Sequence, residues 1–331
     1  MKLGMTKWPP IAALVLAACG APKAPPPEQL TADPPLGSTS ADTGAADTEL
    51  ERGIAYLKND RADDARLHLE KSLQLKPSGD AHYYLGLARE KLGDKPGAIE
   101  SYKAALALDG KLAEAAANLG AIYLDDPPHP DEAIAALMAG LAKSPGDARL
   151  GQNLAYAYGL KGDVQSASKQ YDSVLAKGED PMVRFAYGTM LFEHKELDKA
   201  AEQLKKALAG LKDDAPLLVT VGRMLGGSKA FGECVTAFDR AIKLKATEPE
   251  WFVRRGTCRH EIKDEAGAQD DFRAAIKVDP KFAAAHYYLG LSLLGEKKRG
   301  GAIASLEKAA ALGGDIGKAA KEKIDALSKK K

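Results

Sequence analysis

The chain has 331 residues, enough for two ordinary domains or one long repeat array. Its 47 Lys and Arg are balanced by 46 Asp and Glu, which excludes the basic stripe from which nucleic-acid binders draw phosphate affinity. Hydrophobic residues make up 45% but aromatics only 6%, a mixture suited to helices that pack closely through small side chains. The chain opens with Lys2 and Lys7 before a short apolar run from Ile11 to Ala18. That run falls far below the ~20 residues needed to span a bilayer, and reads as a targeting segment.

The run ends Leu16-Ala17-Ala18-Cys19-Gly20, which resembles the lipobox of bacterial lipoproteins. The resemblance implies that residues 1–18 are removed as a lipoprotein signal peptide, and that Cys19 becomes the lipidated first residue. The alternative is an ordinary secretory signal cut elsewhere. One acyl chain binds membranes marginally, with an association constant on the order of 10⁴ M⁻¹, whereas the family's three chains hold permanently. Gly20, in place of Asp, implies the outer membrane with the protein facing the periplasm. Residues 19–47 are rich in Pro, Ala, Thr, Ser and Gly, and read as a flexible tether. Its reach is roughly 30 Å as a coil and at most about 85 Å if fully polyproline-like.

From there a repeat takes over. Small residues recur at Gly53, Gly86, Gly120, Ala155, Gly188, Gly222, Gly256 and Gly290, with gaps of 33, 34, 35, 33, 34, 34 and 34 residues. A second series follows at Ala65, Ala98, Ala133, Ala167, Ala200, Cys234, Ala268 and Ala302. Asp125-Asp126-Pro127-Pro128-His129-Pro130 lengthens the turn of the third copy by one residue. A bulky residue stands four beyond each member: Leu69, Tyr102, Leu137, Tyr171, Leu204, Phe238, Phe272 and Leu306. Each copy reads as two antiparallel helices, A and B, that cross closely because one side is small and the other fills the adjoining space. Leu92-Gly93-Asp94 and Lys161-Gly162-Asp163 supply left-handed turns. Pro77, Pro145 and Pro280 end B helices, while Pro181, Pro216 and Pro249 suit the starts of A helices.

This pattern resembles the tetratricopeptide-repeat (TPR) family. The resemblance implies an all-α TPR α-solenoid, a right-handed superhelix of eight repeats over residues 48–314. A capping helix and basic tail follow over 315–331, with Ile316, Ala320, Ile324 and Leu327 turned to the last repeat. Glu49 stands where the motif prefers an aromatic, so the first helix pair is expected to dock less firmly. In TPR proteins certain A-helix positions line a concave groove. Carried onto this chain, they predict a peptide-binding groove of Tyr83, Leu87, Leu124, Tyr156, Leu160, Phe185, Phe192 and Val219, with Ala117, Ala121, Tyr287 and Leu291 in the wider set. These large apolar anchors suit an amphipathic helix or an extended apolar peptide.

No catalytic constellation rises above background: there is no Walker A loop, nucleophile elbow, His-Glu-x-x-His or paired Cys-x-x-Cys. The expectation is therefore a non-enzyme without cofactor, metal or small-molecule substrate. His82 and His286 recur at one packing slot and read as structural. Asp270 and Asp271 read as solvated helix surface, and Gly226-Gly227 as punctuation. Cys234 and Cys258 have two readings: buried thiols filling alanine slots, which is the expectation adopted, or one disulfide permitted by an oxidising compartment. Signal, lipobox and repeats together resemble the pilotin lipoproteins that help a type IV pilus secretin assemble. The implied partner is then a secretin or other envelope subunit. The alternatives are a subunit of another secretion or gliding apparatus, or the regulatory arm of an enzyme or transport complex.

Overall fold

The computed structural model describes residues 43–108, 112–125 and 127–328. The lipidation site Cys19 and the signal segment lie outside these residues, as does most of the tether. The described residues contain seventeen α-helices. They divide at Glu179 and Asp180 into two compact units. The first holds four helix pairs: α1 (Thr43–Lys58) with α2 (Ala62–Leu75), α3 (Gly79–Lys91) with α4 (Lys95–Ala107), α5 (Leu112–Leu124) with α6 (Pro130–Lys143), and α7 (Ala148–Lys161) with α8 (Val164–Leu175). The second holds α9 (Pro181–Glu193) with α10 (Leu197–Gly210), α11 (Ala215–Gly227) with α12 (Phe231–Leu244), α13 (Pro249–Glu261) with α14 (Glu265–Val278), α15 (Ala283–Gly295) with α16 (Arg299–Leu312), and a last helix α17 (Gly314–Ser328). Odd-numbered helices up to α15 are the A helices, and even-numbered ones the B helices. Each unit is an all-α TPR solenoid.

The two sequence series meet in space at the A–B crossings. A Cβ added at Gly53 would lie 2.5 Å from Leu69, at Gly86 2.5 Å from the Tyr102 ring, and at Gly188 2.7 Å from Leu204. The same holds at Gly120 with Leu137, Gly256 with Phe272 and Gly290 with Leu306, at 2.6, 2.7 and 2.8 Å. The bulky partners are almost wholly buried, from 0% exposed for Leu69 to 2% for Phe272. Tyr102 shows how completely such a slot closes, since its hydroxyl donates to the Glu90 carboxylate and accepts from the Asn118 amide. Burial, with the Glu90 charge second, pushes this phenol far above its ordinary range.

Turns and caps set the helix ends. Asp94, Asp163 and Asp264 cap B helices by accepting from the backbone N–H of Gly97, Ser166 and Gly267. Asp147, Asp180 and Asp214 do the same for A helices. In seven of the eight repeats a left-handed residue falls seven beyond the notch, and it is Gly only at Gly93 and Gly162. Asp60, Lys195, Lys229, Lys263 and Lys297 adopt the same φ of 60–69°. Each non-glycine residue there costs about 1 kcal/mol, and the adjoining helices hold it in place.

The N-terminal end of the array differs from expectation, while the capping helix packs as expected. The first helix starts at Thr43, five residues inside the expected tether, because Ala46 is buried and its carbonyl accepts from the Ser72 hydroxyl. Glu49 does not leave this pair loose. It is 5% exposed, and its carboxylate meets His68 Nδ1 at 2.6 Å, Lys71 Nζ at 2.8 Å and Arg52 at 3.2 Å. Ionic contacts thus replace the usual aromatic packing. At the other end α17 lays Ala320, Ile324 and Leu327 on Leu306 and Ala309, with Arg299 donating to the Leu327 carbonyl. Asp315 lies inside its first turn.

The reading of Asp271 as solvated surface is overturned. Asp270 is solvated, but Asp271 is 2% exposed. It receives Arg255 on both oxygens at 2.5–3.1 Å, and Arg259 at 3.1 Å. Arg255 occupies the slot just before the notch, where other repeats place Leu85, Leu119, Leu154 and Leu289. A largely buried guanidinium needs a carboxylate beside it. Burial pushes the Asp271 carboxyl up against the opposing pull of Arg255 and Arg259.

Three outcomes are expected. Gly188→Ala should destabilise the second unit by about 1–3 kcal/mol through overpacking, read by urea unfolding followed at Trp251. Asp271→Asn should cost about 3–5 kcal/mol, and Arg255→Leu combined with Asp271→Ala should recover most of that loss. Burial raises the Glu49 carboxyl, but Lys71 and His68 outweigh it and hold the group below its ordinary range. Its stabilising contribution is therefore complete above the unfolded value and lost as pH falls below about 4. Amide exchange should show α1 opening first under acid.

Candidate functional site

The eight predicted groove residues separate by burial. Tyr83, Leu124 and Phe185 are 5%, 2% and 0% exposed and are packing residues, which corrects their assignment. Tyr83 lies against the rings of Tyr84 and Tyr102 at 5.1 and 6.1 Å, and Leu124 joins a cluster with Leu137, Leu150 and Leu154. Tyr83 and Phe185 stand three residues before their notches and Leu124 four beyond, so all three share the packed stripe of the helix. Leu87, Tyr156, Phe192 and Val219 are half-buried, while Leu160 is 41% exposed. Phe192 packs within the second unit, because a Cβ on Gly227 would meet its ring at 2.9 Å. His82 is half-buried, and His286 is buried with Nε2 2.9 Å from the Pro280 carbonyl. Both serve packing.

The second unit contains a cavity of about 310 Å³ among α11, α12 and α13. Its origin is local. The last turn of α11 carries Gly226-Gly227, where the corresponding turns carry Phe192 in α9, His260 in α13 and Leu294 in α15. With no side chains there, the backbone forms one wall. Phe231 and Phe238 from α12 add apolar surface. Arg223, Arg254, Thr257 and Glu261 bring polar groups to the same space from α11 and α13. Burial lowers the Arg223 guanidinium from its ordinary value and the Arg254 charge adds to this, though an arginine remains charged at neutral pH. Arg254 is held by Glu250, with Nε and Nη2 at 2.7 and 2.6 Å from one carboxylate oxygen.

Cys234 of α12 and Cys258 of α13 also line this cavity, and they form a disulfide, with sulfurs 2.01 Å and Cα atoms 6.3 Å apart. The expectation of two free thiols is thereby corrected. The alanine slots they fill on adjoining helices fall within bridging distance. A Cβ on Gly226 would lie 3.3 Å from both sulfurs, so the disulfide and the glycine turn form one surface.

Sequence reasoning missed this site. Its visible signal was the paired glycine at Gly226-Gly227, two arginines on consecutive A helices and a cysteine in each of two alanine slots. Among the described residues no group of three His, Cys, Asp or Glu is placed to hold a metal ion. No helix among them is long and apolar enough to cross a membrane. Cys234→Ala should lower the stability of the second unit by about 3 kcal/mol. A dithiol reductant should reproduce that loss in the parent chain and add nothing to the variant.

The tetratricopeptide-repeat family model matches residues 50–113, 153–216 and 264–316. Type IV pilus assembly protein PilF of Pseudomonas aeruginosa is 25% identical over 220 residues, covering 65% of this chain and 85% of PilF. The solved structure of Pseudomonas aeruginosa PilF superposes with a TM-score of 0.50 at 20% identity, covering 63% of this chain and 96% of that one. A tetratricopeptide repeat protein from Parabacteroides merdae reaches a TM-score of 0.52 at 14% identity, over 75% and 99% of the two chains. The E3 ubiquitin-protein ligase CHIP of Arabidopsis thaliana is 34% identical over 83 residues, 25% of this chain and 30% of CHIP. The chain thus spans under a third of that relative. With the family matched over more than half its length and each unit built of the same notched helix pairs, the chain belongs to the tetratricopeptide-repeat family and is a protein-interaction scaffold that resembles PilF.

Proposed function

We propose that the protein is a lipid-anchored assembly factor of a bacterial envelope, holding a subunit of a type IV pilus or related secretion machine during its assembly. The observation that carries this reading is the similarity to PilF, which extends over 85% of that protein. The N-terminal sequence supports the same setting. Cys19 after Leu16-Ala17-Ala18 provides the anchor, and the Pro-rich stretch from Ala21 to Pro35 provides a tether to the repeats. An outer-membrane anchor facing the periplasm is also consistent with the oxidised Cys234–Cys258 pair, because disulfides persist in oxidising compartments. A scaffold role needs no bound cofactor, only apolar and charged side chains on the A helices with enough exposure to meet a partner.

The test has two arms in cells that make the full chain. Cys19→Ser should move the protein from the membrane pellet to the supernatant after alkaline washing, and retention in the pellet would overturn the anchor. Crosslinking followed by purification of the lipidated chain should recover a secretin or another subunit of the same machine. Recovery of metabolic enzymes instead would favour a regulatory arm and overturn the assembly role.

A further inference from the structure

Charge is not spread evenly along a chain whose total nearly cancels. Residues 1–295 carry 37 Lys and Arg against 41 Asp and Glu, whereas residues 296–331 carry ten against five. Packing of the last helix gathers much of this excess at one corner of the second unit. The turn into α16 holds Lys297-Lys298-Arg299, and Arg299 Nη2 donates to the Leu327 carbonyl near the end of α17, at 2.6 Å. Lys329-Lys330-Lys331 begin two residues after Leu327. With successive Cα atoms about 3.8 Å apart, Lys329 lies within about 8 Å of Leu327 and so beside the Arg299 turn. Lys323, exposed one turn earlier on α17, adds to the cluster.

The carboxylates on these same segments are Glu296, Glu322 and Asp325, three against seven cations. Glu296 is already engaged by Lys298 at 2.8 Å. Lys297 makes no ion pair among the described residues, and it holds a left-handed φ of 61° where Gly93 and Gly162 serve other repeats. A cation is thus kept at a position that glycine fills with less strain. The residue types point to the kind of partner. Six of the seven cations are lysines, compact charges on flexible stems, whereas paired recognition of a protein carboxylate favours the planar fork of arginine. The apolar side of α17 is already taken up, since Ala320, Ile324 and Leu327 lie on Leu306 and Ala309. What α17 turns outward is charge rather than the apolar anchor of a protein hot spot. Clustered lysines of this kind are drawn to a flat anionic lipid surface, each adding to the attraction within a Debye length.

We propose that this basic corner is a second membrane contact, docking the last repeat and α17 on anionic phospholipid headgroups. The contact goes beyond the proposed anchor, since it acts through charge and needs no acyl group. A polybasic patch is the second signal that makes a lipid anchor hold more firmly.

The test uses the full chain with Cys19→Ser, so that no acyl chain carries the protein to lipid. Binding to phosphatidylcholine vesicles is compared, by co-sedimentation at low salt, with binding to vesicles that also contain phosphatidylglycerol. The anionic vesicles should bind the chain more tightly by about tenfold. Physiological salt should erode the difference, because the screening length falls to about 8 Å. Lys297→Gln, Lys298→Gln, Lys329→Gln, Lys330→Gln and Lys331→Gln together should abolish the preference; Arg299 is kept because it holds α17. Lys169→Gln, Lys199→Gln, Lys205→Gln, Lys206→Gln and Lys243→Gln remove the same charge from exposed sites elsewhere and should leave the preference intact. No preference for anionic vesicles overturns the proposal, as does its survival in the corner variant or an equal loss in the control variant. Capture of the chain on immobilised polyglutamate without any vesicle preference would also overturn it and assign the corner to an acidic protein. The anchor fails in a different way. Alkaline washing neutralises lysine, so membrane retention through Cys19 is read without the corner, and a vesicle preference stands whether or not Cys19 is acylated.

Discussion

The fold depends on one steric constraint: two helices of each repeat approach so closely that an A-helix residue can hardly carry a Cβ. Seven of the eight crossings use glycine and the fourth uses Ala155, opposite a buried leucine, tyrosine or phenylalanine. This constraint recurs every 33–35 residues, fixes which face of each helix is buried, and so fixes what remains for a partner. A close-packed interior tolerates little change of volume. Departures from the pattern therefore carry information about what else the chain must do.

The notches and their partners were readable because small and bulky residues recur at fixed spacing. Pro181, Pro216 and Pro249 likewise announced the starts of α9, α11 and α13. Helix phase was less legible. Tyr83, Leu124 and Phe185 sit a fraction of a turn from the exposed stripe, and at about 100° per residue such an offset moves a side chain from groove to core. Chemical identity misled at Asp271, where a carboxylate next to solvated Asp270 is instead drawn inside by Arg255 on another helix. That pairing spans sixteen residues, beyond the reach of local pattern. Glu49 was misread for the same reason, since its cationic partners His68 and Lys71 lie on α2. The left-handed turns at Lys195, Lys229, Lys263 and Lys297 show tertiary packing imposing a conformation that the residue alone disfavours.

Where the repeat departs furthest from its own rule, the second unit gains its cavity. Cysteines in two alanine slots bridge α12 to α13, and glycines replace larger residues at the end of α11. The bridge closes a loop of 24 residues in sequence and ties α12 to α13, while the glycines let the end of α11 lie against the sulfurs and the Phe192 ring. Repeat packing and cysteine chemistry thus meet at one turn, where Gly226 lies against both sulfurs.

The most direct test of this account is site-specific photocrosslinking in the producing cell. A benzophenone residue would be placed at Thr257 on α13 or at Thr236, exposed on α12. The account predicts a discrete adduct with an envelope subunit from Thr257 and little or none from Thr236. A strong adduct from Thr236 with none from Thr257 would place the partner on the B-helix side and contradict the assignment of the working surface.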